Sequence, residues 1–307
     1  MSTLSDQSEA SLSAAGRLHD ATPQGQRVDQ QHSIANNALA LRRISTRDPF
    51  HVHFGAGRLG LGLVTPAIAR SNTPFAIVQR PQAAWSNIAE HQQDEAGCKV
   101  ELRVNGESVV GGVAVANQGA DVDAFLDELE ADKNDADADA AAVSRLLALT
   151  DDKAAVARLA RRATSFSCSL GPAMRKVLLP LFSQLPVMPE GQRPVLYACE
   201  NDHEAVRRLA EAVRGRVDCV PCMVDRICTG REIGGAFVDV EAEPGYGGSI
   251  VVLKPALAAE PSKVPFAGEG VVLPRTQAEA DYFYKRKLSL VNGMVRRNGF
   301  GFGTDWL

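Results

Sequence analysis

The chain has 307 residues, of which 45% are hydrophobic and 23% are charged, and its formal net charge is -4. This length predicts two domains, and these proportions are typical of a globular protein with a substantial core. The small negative charge excludes the strongly basic surface of a nucleic-acid or anionic-membrane binder, and no apolar run is long enough to span a bilayer. We therefore expect a small-molecule partner, with no nucleic acid and no membrane.

Residues 1–48 are rich in Ser, Gln, Asp, Ala and Asn and poor in aromatic residues. Such a segment buries too little apolar surface to offset its ordering entropy, so we predict that it is disordered. It lacks the apolar stretch of a secretory signal, which favours a cytoplasmic protein with reduced cysteines. An organelle transit segment is the weaker alternative, because such peptides avoid acidic residues and this one contains Asp6, Glu9, Asp20 and Asp29.

From Pro49 the pattern becomes that of an α/β fold. Residues 50–54 alternate as in a strand, and a glycine-rich turn follows at residues 55–60. The next residues have the apolar spacing of a helix, in which Pro66 predicts a kink. Residues 75–78 predict a second strand. Strand, turn, helix and strand together form one βαβ unit of the expected length.

The glycine turn has the spacing Gly-x-Gly-x-x-Gly, and its position between a strand and a helix is typical of a dinucleotide-binding Rossmann domain. Gly55 would form the tight turn, Gly57 would let the backbone approach a pyrophosphate, and Gly60 would allow close packing of helix and strand. The helix N-terminus would offer free N–H groups to the phosphates. The alternative is a chance glycine turn in an unrelated α/β domain. The residues predicted to bind NAD or NADP here are Gly55, Ala56, Gly57, Arg58, Leu59 and Gly60.

The end of the second strand bears on the choice between the two nicotinamide cofactors. NAD sites usually place Asp or Glu there to bind the ribose 2′-hydroxyl. This chain has Gln79 and Arg80 instead. Because a guanidinium pairs well with a phosphate, Arg80 favours NADP over NAD, although an Arg80 that points into solvent would leave NAD open.

Residues 120–162 begin with an acidic, alanine-rich stretch, which predicts a surface insertion, and residues 145–162 have the spacing of an amphipathic helix. The rest of the chain alternates apolar strands with amphipathic helices. The predicted strands lie near 165–168, 195–199 and 217–224, with a strand pair near 237–240 and 250–253, and the predicted helices lie near 177–179, at 203–214 and at 277–294.

Four stretches occur in an order that resembles a known family. They are His53–Gly57, Leu170–Pro172, Ala198–Asn201 together with Met223–Ile227, and Arg286–Asn292. The chain is similar in them to the mannitol dehydrogenase and mannitol-1-phosphate 5-dehydrogenase family, the polyol-specific long-chain dehydrogenases. The resemblance implies an α/β fold in which a Rossmann-like domain precedes a mainly helical substrate domain. It also implies metal-free hydride transfer between a polyol or polyol phosphate, such as mannitol or mannitol 1-phosphate, and the ketose, fructose or fructose 6-phosphate.

The resemblance assigns roles to individual residues. Lys287 would be the general acid/base, Asn201 and Asn292 would flank the reacting oxygen, and Asp225 would support the lysine. A buried lysine near a cationic nicotinamide ring has a lowered pKa, which suits proton removal from an alcohol, and amide donors stabilise the developing alkoxide. The alternative is that Lys287 is a surface lysine within a basic run. The residues implied to line the cofactor cleft are Leu170 and Gly171.

The sequence departs from the family at its C-terminal end. The family has a histidine three residues after the position of Asn292, and this chain has Val295 there. The helical pattern is also lost after Met294, so we expect a truncated substrate domain. A non-catalytic or truncated nucleotide-binding relative is therefore the alternative function. The expected domains are a disordered segment at 1–48, a Rossmann-like domain at 49–228 with the acidic insertion near 120–162, and the start of the substrate domain at 229–307.

Cys219 and Cys222 form a Cys-x-x-Cys pair, which occurs in redox centres and in zinc sites. A zinc site needs two further ligands, and the spacing of Cys199, Cys228 and His203 does not identify them. The pair lies in an apolar strand. We therefore predict that both thiols are packed and inert, and we expect no metal.

Overall fold

The computed structural model describes residues 48–94, 97, 99–131 and 143–285. The expectation for residues 1–48 therefore falls almost wholly outside the described residues. The strands within the described part are β1 (His51–Phe54), β2 (Phe75–Gln79), β3 (Lys99–Val104), β4 (Glu107–Ala116), β5 (Arg145–Leu149), β6 (Ser165–Cys168), β7 (Val195–Cys199), β8 (Asp218–Asp225), β9 (Cys228–Ile233), β10 (Phe237–Ala242), β11 (Ser249–Val252) and β12 (Val271–Val272).

The helices of the same residues connect these strands. The main ones are α1, formed by a π-helical segment (Gly60–Val64) and an α-helical segment (Thr65–Ala69), α2 (Ser86–Asp94), α3 (Gly119–Ala131), α4 (Lys153–Arg162), α5 (Met174–Phe182), α6 (His203–Ala212) and α7 at 277–285. Short 3-10 segments occupy Ala83–Trp85, Gly171–Ala173, Pro255–Ala259 and Pro261–Lys263.

Six neighbouring strands define the fold class. They lie in the order β8-β7-β6-β1-β2-β5, and every adjacent pair among them is parallel. One half consists of β1, β2 and β5 and the other of β6, β7 and β8. The two halves start at the adjacent strands β1 and β6 and extend in opposite directions. This is the strand order 3-2-1-4-5-6 of the Rossmann fold. The predicted α/β class and the dinucleotide-binding topology are therefore confirmed.

The two faces of this sheet carry separate apolar clusters. Phe54, Phe166 and Phe182 belong to the face covered by α3, α4, α5 and α6, and the Phe166 and Phe182 rings lie 4.8 Å apart. Residues 51 and 53 point to the other face, because successive side chains of a strand alternate. That face packs against α1 and α2, with Ile77 and Ile88 in its core. Strands that are buried on both faces have nearly continuous apolar sequences, because neither set of side chains meets solvent. This explains the apolar sequences of β5 and β7.

Further strands extend the sheet at both edges. β4, β3, β10 and β9 follow β5, and β11 and β12 follow β8. The sheet curls at its β9 edge, because Cys228 of β9 and Val240 of β10 lie against Gly62 of α1. Helix α1 is consequently buried along its whole length from Gly60 to Ala69.

The expected disturbance of α1 by Pro66 is present as the π-helical segment, which ends at Val64. Proline has no N–H to donate to the carbonyl four residues before it. That carbonyl, of Gly62, accepts instead from the Arg226 guanidinium at 2.6 Å.

Residues 119–162 differ from the sequence-based prediction. The acidic stretch begins with the helix α3, whose Val122, Phe125 and Leu129 are buried. The predicted helix at 145–162 is two elements: the strand β5, which is buried between β2 and β4, and the helix α4 from Lys153. The apolar run of β5 resembles one turn of a buried helix in the sequence, and only its sheet neighbours distinguish the two.

The sheet does not break at residue 228, because β9 to β12 join the strands that precede them. The predicted helix at 277–294 is helical over its described part, 277–285. The separate substrate domain at 229–307 stays a prediction.

Candidate functional site

The carboxyl ends of β1 and β6 form the topological switch point of the sheet, where connections leave toward opposite faces. In open α/β sheets, ligands bind outside the strands at this point. The turn at residues 55–60 follows β1, and residues 169–171 follow β6, so both lie at this edge. The structure thus brings the glycine turn and Leu170–Gly171 together, whereas their role in cofactor binding stays a prediction.

Two glycines of the turn are required by their surroundings. Gly55 has φ +105°, and a Cβ there would lie 2.8 Å from the carbonyl oxygen of Ser169. A Cβ on Gly60 would overlap the Gly55 carbonyl oxygen and would lie 2.5 Å from Ser169 Oγ and 2.8 Å from His53 Nε2. Only glycine therefore allows α1 to start this close to both strand ends. Side chains from the two strands thus meet at the third glycine of the motif.

Gln79, at the end of β2, contacts the same turn. Its Oε1 accepts from the Ala56 N–H at 3.0 Å, and its Nε2 donates to the Arg80 carbonyl at 3.1 Å. Arg80 itself is exposed. Gln79 therefore holds the turn through the Ala56 N–H.

Two further guanidinium groups lie at the turn. Arg58 donates from Nη1 to the Thr229 carbonyl at 2.7 Å, and Arg231 of β9 donates to the Ala56 carbonyl. Burial, together with the charge of Arg58, lowers the pKa of Arg231. Two mutually repelling cations beside a helix N-terminus form an environment that favours an anion. Arg231 could not be predicted from the sequence, because the curl of the sheet brings it from a strand that is distant in the chain.

A cleft of about 450 Å³ opens beside Arg231, at the ends of β2, β4 and β5. Its wall includes Trp85, Asn117 and Thr150. The Trp85 Nε1–H and Asn117 Oδ1 are buried without a hydrogen-bond partner among the described residues. The Arg231 guanidinium lies 5.0 Å from the centre of the Trp85 ring. The cleft wall combines apolar side chains such as Leu149 with polar ones such as Thr150 and Asp151, which suits a small organic ligand.

Glu200 is a site residue that sequence reasoning missed. This carboxyl, at the end of β7, is 7% exposed and accepts from the Leu170 N–H at 2.5 Å and the Gly171 N–H at 3.0 Å. Burial raises the pKa of Glu200 to about 7, although both N–H bonds and one from Cys168 favour the charged form. A buried carboxyl whose pKa is raised to near neutrality makes Glu200 a candidate functional residue. The sequence placed Glu200 in a motif, but only the pairing of β6 with β7 shows its burial.

Asn201 and Asp225 lie at the ends of neighbouring strands. Asn201 follows β7, and Asp225 ends β8, which pairs with β7 in parallel. The Asp225 carboxylate accepts from the Tyr246 hydroxyl at 2.7 Å. Tyr246 comes from a glycine-rich loop and was not a predicted site residue. Asn201 and Asp225 thus share one edge of the sheet with the glycine turn.

Lys287 and Asn292 lie outside the described residues, as does Val295. The described part of α7 ends at 285. Its Tyr284 stacks on His203, the first residue of α6, with 5.0 Å between ring centres.

Cys219 and Cys222 lie on opposite faces of β8, since they are three residues apart in a strand. Cys219 packs against the helix-covered cluster, whereas Cys222 belongs to the cluster around α1 and faces Cys199 in the register of β7 and β8. The two thiols therefore do not converge on one point. Burial raises the pKa of Cys219 to about 12, which disfavours the reactive thiolate.

The described ranges contain neither a metal-binding cluster nor a membrane-spanning helix. No three of the His, Cys, Asp and Glu side chains there are arranged to hold a metal ion. None of the helices in those ranges combines the length and the apolar character that crossing a bilayer requires.

No family model and no curated protein matches the sequence. Among solved structures, the chain is similar to a reductive aminase from Aspergillus terreus in complex with NADPH and ethyl levulinate, with 10% identity, a TM-score of 0.36, and coverage of 83% of this chain and 68% of that chain. An imine reductase from Pseudomonas sp. has 9% identity and a TM-score of 0.36, over 81% of this chain and 64% of that chain. A glycerol-3-phosphate dehydrogenase from Coxiella burnetii has 12% identity and a TM-score of 0.33, over 74% of this chain and 53% of that chain. The fold is defined by the strand order described above rather than by these distant likenesses.

Proposed function

We propose that the chain is an NAD(P)-dependent oxidoreductase that binds the dinucleotide across the carboxyl ends of β1, β2 and β6, with NADP favoured over NAD. The observation that carries the proposal is the glycine turn at the switch point of a Rossmann sheet, where two glycines are sterically required.

The residues of this edge fit the adenosine and pyrophosphate parts of such a cofactor. The amides at the start of α1 would bind the pyrophosphate, beside the positive charges of Arg58 and Arg231. The cleft lined by Trp85, Asn117 and Thr150 would hold the adenosine. Arg80, exposed at the end of β2, would pair with a 2′-phosphate.

The carboxyl ends of β6 and β7 would hold the reacting groups. The cofactor supplies hydride chemistry when it is bound. Leu170 and Gly171 would border the nicotinamide, and Asn201 would orient the substrate oxygen.

We further propose a polyol or polyol phosphate as substrate, with its ketose as product. The support is the motif resemblance, in which Lys287 takes or gives the proton, Asn292 acts with Asn201, and Asp225 supports the lysine. Tyr284, three positions before Lys287 in the sequence, stacks on His203, two positions after Asn201. The substrate-binding part of the chain would lie within residues 229–307.

The test is oxidation of NADPH and NADH by the purified full chain, with fructose 6-phosphate and with fructose. We expect turnover that disappears in Lys287→Ala, whereas cofactor binding is retained. Arg80→Ala should reduce the preference for NADPH by about tenfold, the equivalent of about 1.4 kcal/mol. Arg214→Ala is the matched control, because Arg214 is exposed after α6, away from the glycine turn.

Dinucleotide binding without turnover on either ketose would instead support a non-catalytic nucleotide-binding protein. Failure of the wild-type chain to bind either dinucleotide would contradict the proposal altogether.

A further inference from the structure

A chain of alternating hydroxyl and imidazole groups runs between β1 and β6 inside the sheet. Ser165 Oγ lies 2.8 Å from His51 Nδ1, and His51 Nε2 lies 2.8 Å from Ser167 Oγ. Ser167 Oγ in turn lies 2.7 Å from His53 Nδ1. Both imidazoles and the Ser167 side chain are fully buried. Three strong hydrogen bonds thus link buried groups that would each be costly if left unpaired.

The chain ends at the glycine turn. His53 Nε2 lies 3.0 Å from the Gly55 carbonyl oxygen and 3.2 Å from Ser169 Oγ. The Ser169 hydroxyl also donates to the Gly55 carbonyl, at 3.1 Å. These three polar atoms are the ones that a Cβ on Gly60 would approach or overlap. The end of the chain therefore fills the space that the third glycine of the motif leaves open.

The chemistry of the groups fixes where the protons lie. A carbonyl oxygen only accepts, so His53 Nε2 carries the proton directed at Gly55, and His53 Nδ1 accepts from the Ser167 hydroxyl. Since that hydroxyl has one proton, Ser167 Oγ must accept from His51 Nε2–H. His51 Nδ1 then accepts from Ser165. This arrangement uses both ring nitrogens of each histidine and the hydroxyl protons of Ser165 and Ser167.

Both imidazoles are neutral in this arrangement. Burial lowers the pKa of His53 to about 4 and the pKa of His51 well below its ordinary value. A neutral chain costs less to bury than a charged one, and it keeps a fixed direction from Ser165 to Gly55.

We infer that His51, Ser167 and His53 are positioning residues for the cofactor, which hold the Gly55 carbonyl and thereby the amides of the glycine turn in their binding orientation. The inference rests on the proposed function. None of the three contacts solvent, so they would act on the dinucleotide through Gly55 and Ser169 alone.

The first experiment compares Ser167→Ala with Thr164→Val by titration of NADPH into the purified full chain. Both variants remove a hydroxyl between β1 and β6, but among the described residues the Thr164 hydroxyl bonds to the Phe50 backbone alone and is not part of the hydrogen-bonded chain. We expect Ser167→Ala to weaken NADPH binding at least fivefold and Thr164→Val to change it less than twofold, at similar losses of thermal stability. Equal effects of the two variants on affinity would overturn the inference.

The second experiment needs no variant. Nitrogen-15 NMR of the histidine rings in the wild-type chain should show His51 and His53 as neutral Nε2–H tautomers, and NADPH should shift the His53 Nε2 resonance. An Nδ1–H tautomer at His53, or an Nε2 resonance that NADPH leaves unmoved while it binds, would overturn the inference. If NADPH does not bind the wild-type chain, the proposed function fails, and the positioning role falls with it even where the tautomers are as expected.

Discussion

Glu200 reaches from the end of β7 to the two backbone amides that begin the 3-10 segment after β6. Those amides are orphan donors at the start of a helical segment, and a carboxylate is the usual partner for them. Burial opposes the charge of the carboxylate, and the balance leaves the pKa of Glu200 at about 7. The protonation state of Glu200 therefore affects how firmly the backbone of Leu170 and Gly171 is held after β6.

Glu200→Gln tests this balance. The folded state holds the Glu200 proton more tightly than the unfolded state, whose pKa is near 4.5, so the wild-type free energy of unfolding should fall as pH rises from about 4.5 through 7. A pKa shift of this size corresponds to roughly 3 kcal/mol. Urea unfolding at pH 5 and pH 8 should show wild type losing stability relative to Glu200→Gln at the higher pH. The same pH dependence in both proteins would exclude a raised pKa at Glu200.

At the scale of elements, the pairing of β1 with β6 determines which polar side chains become hydrogen-bond partners. The sequence presented His51 and His53 as the polar half of an alternating strand, which normally faces solvent. Both faces of β1 are buried, and the Ser165 and Ser167 hydroxyls of β6 lie opposite the two histidines in the register. The sequence contains both polar pairs, the two histidines of β1 and the two serines of β6. Their match can be interpreted only when β1 and β6 are known to be neighbours.

His53→Asn tests the burial of these neutral rings. Between about pH 4 and 6.5 the unfolded state binds a proton at His53 that the folded state does not, so stability should fall as pH falls through this range. Asparagine keeps an amide donor but does not titrate, so the variant should show a weaker acid sensitivity in thermal unfolding. His91→Asn, on the partly exposed surface of α2, should retain the wild-type sensitivity. Equal acid sensitivity in wild type and His53→Asn would argue against a neutral, buried His53.

Other elements show the same division between local and long-range information. The sequence predicted strands at 237–240 and 250–253 as a pair, and both strands exist, but β10 pairs with β3 and β9 whereas β11 pairs with β8 and β12. Hydrophobic pattern reports whether a segment is extended and buried. It does not indicate which strand the segment pairs with, because the pairing depends on residues that are far apart in the sequence.

At the scale of the whole molecule, the candidate site combines local and long-range parts of the chain. The glycine turn, Gln79 and Arg80 could be proposed from the sequence because the βαβ motif is local, with all of its parts within about 30 residues. Arg231 and Glu200 could not, since the curl of the sheet and the pairing of β6 with β7 bring them to this region. The proposed adenosine cleft likewise combines residues from three strand ends.

The most direct test of the account is calorimetric titration of NADPH into the wild-type chain, Gly60→Ala and Gly111→Ala. A Cβ at Gly60 collides with the ends of β1 and β6, whereas a Cβ at Gly111 of β4 meets nothing within 4 Å. The account predicts binding to wild type, unchanged affinity in Gly111→Ala, and at least tenfold weaker binding in Gly60→Ala, the equivalent of about 1.4 kcal/mol. A wild-type chain that binds neither NADPH nor NADH, or a Gly60→Ala variant that is folded by circular dichroism and binds as tightly as wild type, would contradict it.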